Sequence, residues 1–148
     1  MNKKVFVITY YINSKNEYLY LALKLSPEEN RSSGYYVITG DVEVEENIET
    51  AAYREVIEET GIKPIRITDL NMILEYTDHI DNKTYEEYVF AAQVDSKKVT
   101  LSGEHTEFKW LNIKDFIATI WWDDEKSLLE DILKNINSNK RNSTNSHK

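Results

Sequence analysis

Between Gly40 and Ile62 the chain reads GDVEVEENIETAAYREVIEETGI, and within it Glu55, Glu58 and Glu59 fall at i, i+3 and i+4. At about 100° per residue, an α-helix places them within one arc roughly 100° wide. Residues at these offsets are surface neighbours, and like charges there repel. A helix that gathers them needs a compensating cation, either a solvated Lys or Arg partner or a metal ion. The rest of the stretch favours a helix over residues 48–60. Asn47 and Thr50 offer cap oxygens, and Glu46 and Glu49 lie near the positive end of the dipole. Ala51 and Ala52 are strong helix formers, and Ala52, Tyr53 and Val56 are expected to face a core. Gly61 suits a left-handed C-terminal cap, and Pro64 follows where a helix should not continue.

With 148 residues, 41% of them hydrophobic, the chain is expected to form one domain with a proper core. It has no cysteine, which excludes a disulfide framework, a thiolate metal site and a cysteine nucleophile. The formal charge of −8 argues against coating nucleic acid through a net positive field. It does not exclude a phosphorylated small molecule, because carboxylates loaded with divalent cations present a locally positive surface. The basic N-terminus and the apolar run after it read as a strand and not as a signal peptide. No stretch is long and apolar enough for a membrane span, and a cytoplasmic location is the expectation.

Residues 4–13 and 18–25 read as strands joined by the turn at 14–17, and 26–34 as a loop. Residues 35–39 form a short strand leading to Gly40, where tight backbone approach is expected. After the helix come strands at 65–76, interrupted near 69–71, and at 84–94. The stretch 101–111 is a loop entering a short strand, 113–120 a helix, and Asp123–Asp124 cap a last helix ending near Ile136. Residues 139–148 carry no apolar periodicity and are expected to be a disordered tail, leaving a folded domain over 1–138. This order of elements indicates an α/β or α+β fold.

Three clustered carboxylates, without cysteine or a well-placed histidine, are hard oxygen ligands that suit Mg²⁺ or Mn²⁺ better than zinc. Such ions serve phosphoanhydride hydrolysis, which asks for little covalent chemistry from the protein. A run of glutamates is more often a solvated face, but the surrounding residues change that assessment. Gly40, five residues, Glu46, seven residues, Arg54-Glu55-Val56, one residue, Glu58-Glu59, one residue and Gly61-Ile62 together resemble the Nudix box at every specified position. The resemblance implies a mixed sheet sandwiched between helices, with the box forming a loop–helix–loop. It implies Glu55, Glu58 and Glu59 as metal ligands, with the Gly40 carbonyl completing the site. Arg54 would pair with Glu46 and orient the glutamates. Otherwise it is a surface ion pair worth under about 1 kcal/mol. Glu104, six residues before Trp110, resembles the late-loop glutamate that serves as base or extra metal ligand in many Nudix enzymes, with Glu107 as a competitor. His105, an imidazole that ordinarily titrates close to neutral, offers a general base, but it reads more readily as a packing or hydrogen-bonding residue beside Glu104; His79 and His147 have no assigned role.

Thr39-Gly40-Asp41-Val42-Glu43, the stretch from Glu104 to Leu111 and Trp122-Asp123-Asp124-Glu125-Lys126 are similar to the dATP pyrophosphohydrolase and dihydroneopterin triphosphate pyrophosphatase branch. That branch converts a triphosphate to a monophosphate and pyrophosphate. Lys24 stands where a basic residue meets phosphates, Thr39 where a hydroxyl could bond substrate, and Tyr35 where a ring could stack. Tyr35-Tyr36 departs from the branch's Trp-Gln, and Glu45 replaces a glycine. The stretch from Glu104 to Leu111 also resembles dinucleoside polyphosphate hydrolases. A binding module with a dead site would ordinarily lack box glutamates, and all are present here. The expected partner is a small nucleotide or related triphosphate, with no membrane and no stable nucleic-acid binding. Homodimerisation is left open.

Overall fold

The computed structural model describes residues 2–26, 34–120 and 126–146. Most of the 26–34 loop and the Asp123–Asp124 cap therefore lie outside the described residues. The elements are β1 (Asn2–Ile12), β2 (Tyr18–Leu25), β3 (Tyr35–Tyr36), β4 (Ile38–Asp41), α1 (Ile48–Thr60), β5 (Arg66–Thr77), β6 (Thr84–Val94), β7 (His105–Leu111), α2 (Ile113–Thr119) and α3 (Lys126–Ser146). The seven strands form one mixed sheet.

β1 is its axis. One edge of β1 runs parallel to β6, from Asn2 opposite Tyr85 to Tyr11 opposite Val94. The other edge is divided. Tyr10–Ile12 pair with β2, and Lys4–Val7 pair with β4, both antiparallel. β5 closes the far edge on β6 with a register shift between Asp69 and Ile73, where Asn71 takes a φ of 56°. That is the interruption the sequence suggests. The single strand expected over 35–39 is instead two, because the chain passes at Val37 from pairing with β2 to pairing with β1.

Both faces of the sheet are covered, so β1 reads as an unbroken apolar run. Val5, Phe6, Val7 and Ile8 are all fully buried. Alternation sends Val5 and Val7, with Leu21, Leu23, Phe90 and Ala92, to a cluster under α1. It sends Phe6, Ile8 and Tyr10, with Tyr20, Ala22, Val89 and Ala91, to a cluster with Phe116 of α2 and Leu129, Ile132, Leu133 and Ile136 of α3. The result is an α/β/α sandwich in which, among the described residues, the acidic helix α1 covers one face and α2 and α3 the other.

α1 begins at Asn47, whose side chain accepts the Glu49 N–H at 2.9 Å. Gly61 ends it at φ 72°, donating its N–H to Ile57 O at 2.8 Å. Ala52 and Val56 are buried as expected, whereas Tyr53 is 38% exposed. It instead borders a shallow depression with Asn47, Glu49, Thr50 and Ile67, which none of the box carboxylates from Glu55 to Glu59 lines.

α3 continues to Ser146, past the end near Ile136 that the apolar stripe suggests. Ile136 is the last buried residue of α3 among the described side chains. We propose that the cooperative unit ends near residue 138. A chain truncated after Ser138 should unfold at an unchanged thermal midpoint. A drop of several degrees, about 1 kcal/mol for a domain of this size, would place part of the later helix inside the folded unit.

Candidate active site

The guanidinium of Arg54 organises the N-terminal half of the acidic site. Its Nε donates to Glu46 Oε2 at 2.8 Å and its Nη2 to Glu46 Oε1 at 3.0 Å, a bidentate fork. Nη2 also donates to the Asp41 carbonyl at 2.9 Å. Nη1 donates to Glu55 Oε1 at 2.9 Å and to Glu58 at 3.1 Å, with Glu43 at 3.8 Å. The side chains of Arg54 and Glu46 are only 23% and 10% exposed. This is a half-buried network and not the isolated surface pair of the alternative reading. Arg54 holds the Glu46 carboxyl below its ordinary range, and the carboxylates in turn push the guanidinium well above its own.

The loop before α1 supplies the fork. Glu46 N–H bonds the Glu43 carbonyl at 3.0 Å, and Glu43 N–H bonds Glu46 Oε1 at 3.0 Å. Glu45, which replaces a glycine in the resemblance, stands at φ 65°. An L-residue in that left-handed region pays about 1 kcal/mol that glycine does not.

Glu55 and Glu59 face inward and are buried, while Glu58 is exposed. The Glu55 carboxyl packs against Gly40 of β4. A Cβ at residue 40 would lie 2.1 Å from Glu55 Cδ, so only glycine fits beside the carboxyl in this position. Burial pushes the Glu55 carboxyl up to about 7, and the charges of Glu58 and Glu59 add to the shift against the opposing bond from Arg54.

Glu59 is held from the other side of the chain. Thr100 N–H donates to the Thr60 carbonyl at 2.8 Å, which pins the late loop to the last turn of α1. Ser102 Oγ then donates to Glu59 Oε2 at 2.8 Å and accepts the Glu104 N–H at 3.3 Å. His105 Nδ1 lies 2.7 Å from the same Oε2, with both side chains 6% exposed. Burial opposes ionisation of Glu59, but His105 and Ser102 outweigh it and hold the carboxyl below its usual range. Glu104, exposed, completes a group in which ligand atoms of Glu59, Glu104 and His105 lie within 4.8 Å of one another.

The expected residues therefore divide. Gly40, Glu46, Arg54, Glu55, Glu58, Glu59 and Glu104 come together at or beside α1. Among them, Glu55 and Glu58 turn onto Arg54 and do not belong to the group around Glu59. Glu107, the competitor of Glu104, is ion-paired with Lys24 at 3.2 Å. Lys24 follows Leu23, which lies under α1, so strand alternation turns Lys24 to the opposite face. Tyr35 pairs with it there and carries Lys109 Nζ 4.8 Å from its ring centroid. Thr39 alternates with Ile38 in the same way and faces off α1.

His105 packs beside Glu104 as read from the sequence; the expectation that no histidine is well placed needs correction, because the ring also reaches Glu59. Its placement follows from a β-bulge: Lys24 pairs with Glu107 but Leu25 pairs with His105, which inserts Thr106. No local pattern in residues 101–107 announces that shift. Ser102 joins the site as well; it lies in the stretch 101–111 that the sequence reads as a loop entering a strand, and nothing local in that loop points to Glu59.

The NUDIX domain family model matches residues 2–132. No match was found among curated proteins. Among solved structures, a C. elegans Ap4A hydrolase in a binary complex has a TM-score of 0.75 at 21% identity, covering 96% of this chain and 99% of that one. A protein described as a Nudix hydrolase from Listeria monocytogenes has 0.74 at 26% identity, covering 92% and 94%. The E. coli dihydroneopterin triphosphate pyrophosphohydrolase has 0.71 at 20% identity, covering 89% and 95%. With a family match over nearly its whole length and the box carboxylates gathered on one helix, the chain belongs to the Nudix family, whose hydrolases act on phosphoanhydride bonds.

Proposed function

We propose that the protein is a Mg²⁺- or Mn²⁺-dependent pyrophosphohydrolase that takes a nucleoside or pterin triphosphate to its monophosphate and pyrophosphate. The observation that carries this reading is the gathering of the box residues at α1: Arg54 holds Glu46, Glu55 and Glu58, the Glu55 carboxyl packs on Gly40, and Glu59 is joined by Glu104 from a loop more than forty residues away. The donor set fits a hard divalent cation, since the helix offers only carboxylate oxygens. Burial raises the Glu55 carboxyl and the Glu58 and Glu59 charges add to it, a cost that a bound cation would offset. Glu55, Glu58 and Glu59 would hold the ion with the Gly40 carbonyl. When bound, the ion supplies charge neutralisation at phosphate oxygens and acidifies water.

The chain's own residues do the remainder. Arg54, forked on Glu46, fixes the directions of Glu55 and Glu58. In this reading Glu104, exposed and beside Glu59, would take the proton of the attacking water or serve as an extra ligand. Attack at the α-phosphorus breaks the phosphoanhydride bond that releases pyrophosphate. Lys24, Tyr35 and Thr39 are the substrate contacts of this reading. They would act from the opposite face, with Lys24 freed from Glu107 and the Tyr35 ring serving as a stacking surface.

A second reading is a dinucleoside polyphosphate hydrolase. The Ap4A hydrolase neighbour and the stretch from Glu104 to Leu111 favour it. A ligand-binding sensor is less well supported, since every box glutamate is retained. We place the protein in the cytoplasm. No helix among the described residues is long and apolar enough to cross a membrane.

The test is product identity. Purified protein with Mg²⁺ is given dNTPs, NTPs, dihydroneopterin triphosphate and diadenosine tetraphosphate, and products are separated by ion exchange. The expected outcome is monophosphate plus pyrophosphate from a triphosphate, abolished by EDTA and by Glu58→Gln. Turnover of the dinucleotide alone would establish the second reading instead.

Two substitutions probe the scaffold. Gly40→Ala forces the Glu55 carboxyl away from β4 and should cut kcat by about a hundredfold, the usual cost of misplacing a catalytic group by an ångström. Arg54→Lys keeps the charge but loses the fork and should cut kcat by about tenfold or more with substrate KM little changed. Near-normal turnover of Arg54→Lys would return Arg54 to the role of a surface ion pair.

A further inference from the structure

We propose that His105 is itself a metal ligand through Nδ1, forming with Glu59 and Glu104 a nitrogen-containing site for a first-row transition cation such as Mn²⁺. The inference rests on the metal-dependent reading above and extends its ligand set beyond the helix carboxylates.

Three observations point the same way. Ligand atoms of Glu59, Glu104 and His105 lie within 4.8 Å of one another. The His105 side chain is 94% buried, and its Nδ1 is a buried polar atom without a hydrogen-bond partner. Buried polar atoms are ordinarily satisfied, so such an atom asks for a ligand. The 2.7 Å approach to Glu59 Oε2 does not provide one, because the ring nitrogen is not directed along that line.

The backbone agrees. Glu107 and Lys109 pair with Lys24 and Ala22, on the face away from α1, and simple alternation would put His105 there too. The bulge at Thr106 reverses it into the acidic site. Ser102 meanwhile holds Glu59 by the same oxygen that His105 approaches. An imidazole in the donor set shifts preference from Mg²⁺, which favours oxygen alone, toward Mn²⁺ and the later first-row ions.

Mn²⁺ bound to the tag-free full chain, in buffer without imidazole, gives the deciding measurement. Electron spin-echo modulation should show directly coordinated nitrogen in the wild type and none in His105→Gln. Titration followed by Mn²⁺ paramagnetic resonance should show His105→Gln weakening Mn²⁺ by about tenfold or more, with Mg²⁺ affinity much less changed. Thermal unfolding of the variant checks that it is folded, and Glu104→Gln serves as a second variant that weakens Mn²⁺ while retaining the nitrogen signal. Bound Mn²⁺ without nitrogen modulation, or modulation that survives His105→Gln, would overturn the assignment and make His105 an ion-pair partner of Glu59, with the proposed hydrolase intact. Failure of the wild type to bind Mn²⁺ or Mg²⁺ would overturn both.

Discussion

Everything at the site depends on how one helix carries three carboxylates on a single face. α1 has no basic residue in its last turn to offset them, and Glu55 and Glu59 are buried. Burying a carboxylate is costly unless it is paired and hydrogen-bonded. The protein meets this from two directions. Arg54 reaches Glu46, Glu55 and Glu58 together, and the late loop reaches Glu59 through Ser102 and His105. The two ends of the arc are thus restrained by different parts of the chain. Opposite shifts result: Glu55 is pushed up by burial and its acidic neighbours, and Glu59 is held low, against its burial, by the adjoining His105 ring and the Ser102 hydroxyl. The helix is therefore a graded set of donors and not a uniform patch of charge.

The sheet makes that arrangement rigid. β1 is shared by β6 along one edge and by β2 and β4 along the other, so β4 is fixed where Gly40 meets Glu55. Ala51, Ala52 and Val56 seat α1 on Val5, Val7, Leu21 and Leu23. Apolar contact sets the helix position, and the polar network then sets carboxylate directions on a frame that does not shift. Leu129, Ile132 and Leu133 of α3, on the far face, seal the other side of the same strands.

What was legible in the sequence was what is local in it. The helix bounds, the Asn47 cap, the Gly61 cap, the interruption near Asn71 and the pairing of Arg54 with Glu46 each follow from residues within a turn or two, or from the box resemblance. The convergence of Glu104 on Glu59 was legible only through resemblance, since forty-five positions separate the two residues. The face of each strand residue depends on register, and register is a property of pairs of strands. The splitting of residues 35–39 between β2 and β1 belongs to that class, and so does the turning of Lys24 and Tyr35 away from α1. Tyr53 failed for another reason: it lies at the edge of the buried arc, where a few degrees of helix rotation decide exposure.

The bulge at Thr106 shows how much one inserted residue can do. On one side of it, Glu107 and Lys109 stand on the face away from α1, engaged with Lys24 and Tyr35. On the other, His105 turns toward Glu59 on the α1 face and Glu104 follows it. A regular strand would have placed His105 beside Lys24 and left Glu59 with Ser102 alone. Because side chains alternate with a period of two, only an odd insertion performs this exchange. One strand thereby serves both faces of the sheet: its bulged end reaches the acidic site, and its regular part places Glu107 and Lys109 against Lys24 and Tyr35 of the neighbouring strands. The link between the two is covalent and short, so displacement of Lys24 from Glu107 by a phosphate would be felt within two residues of the His105–Glu59 contact.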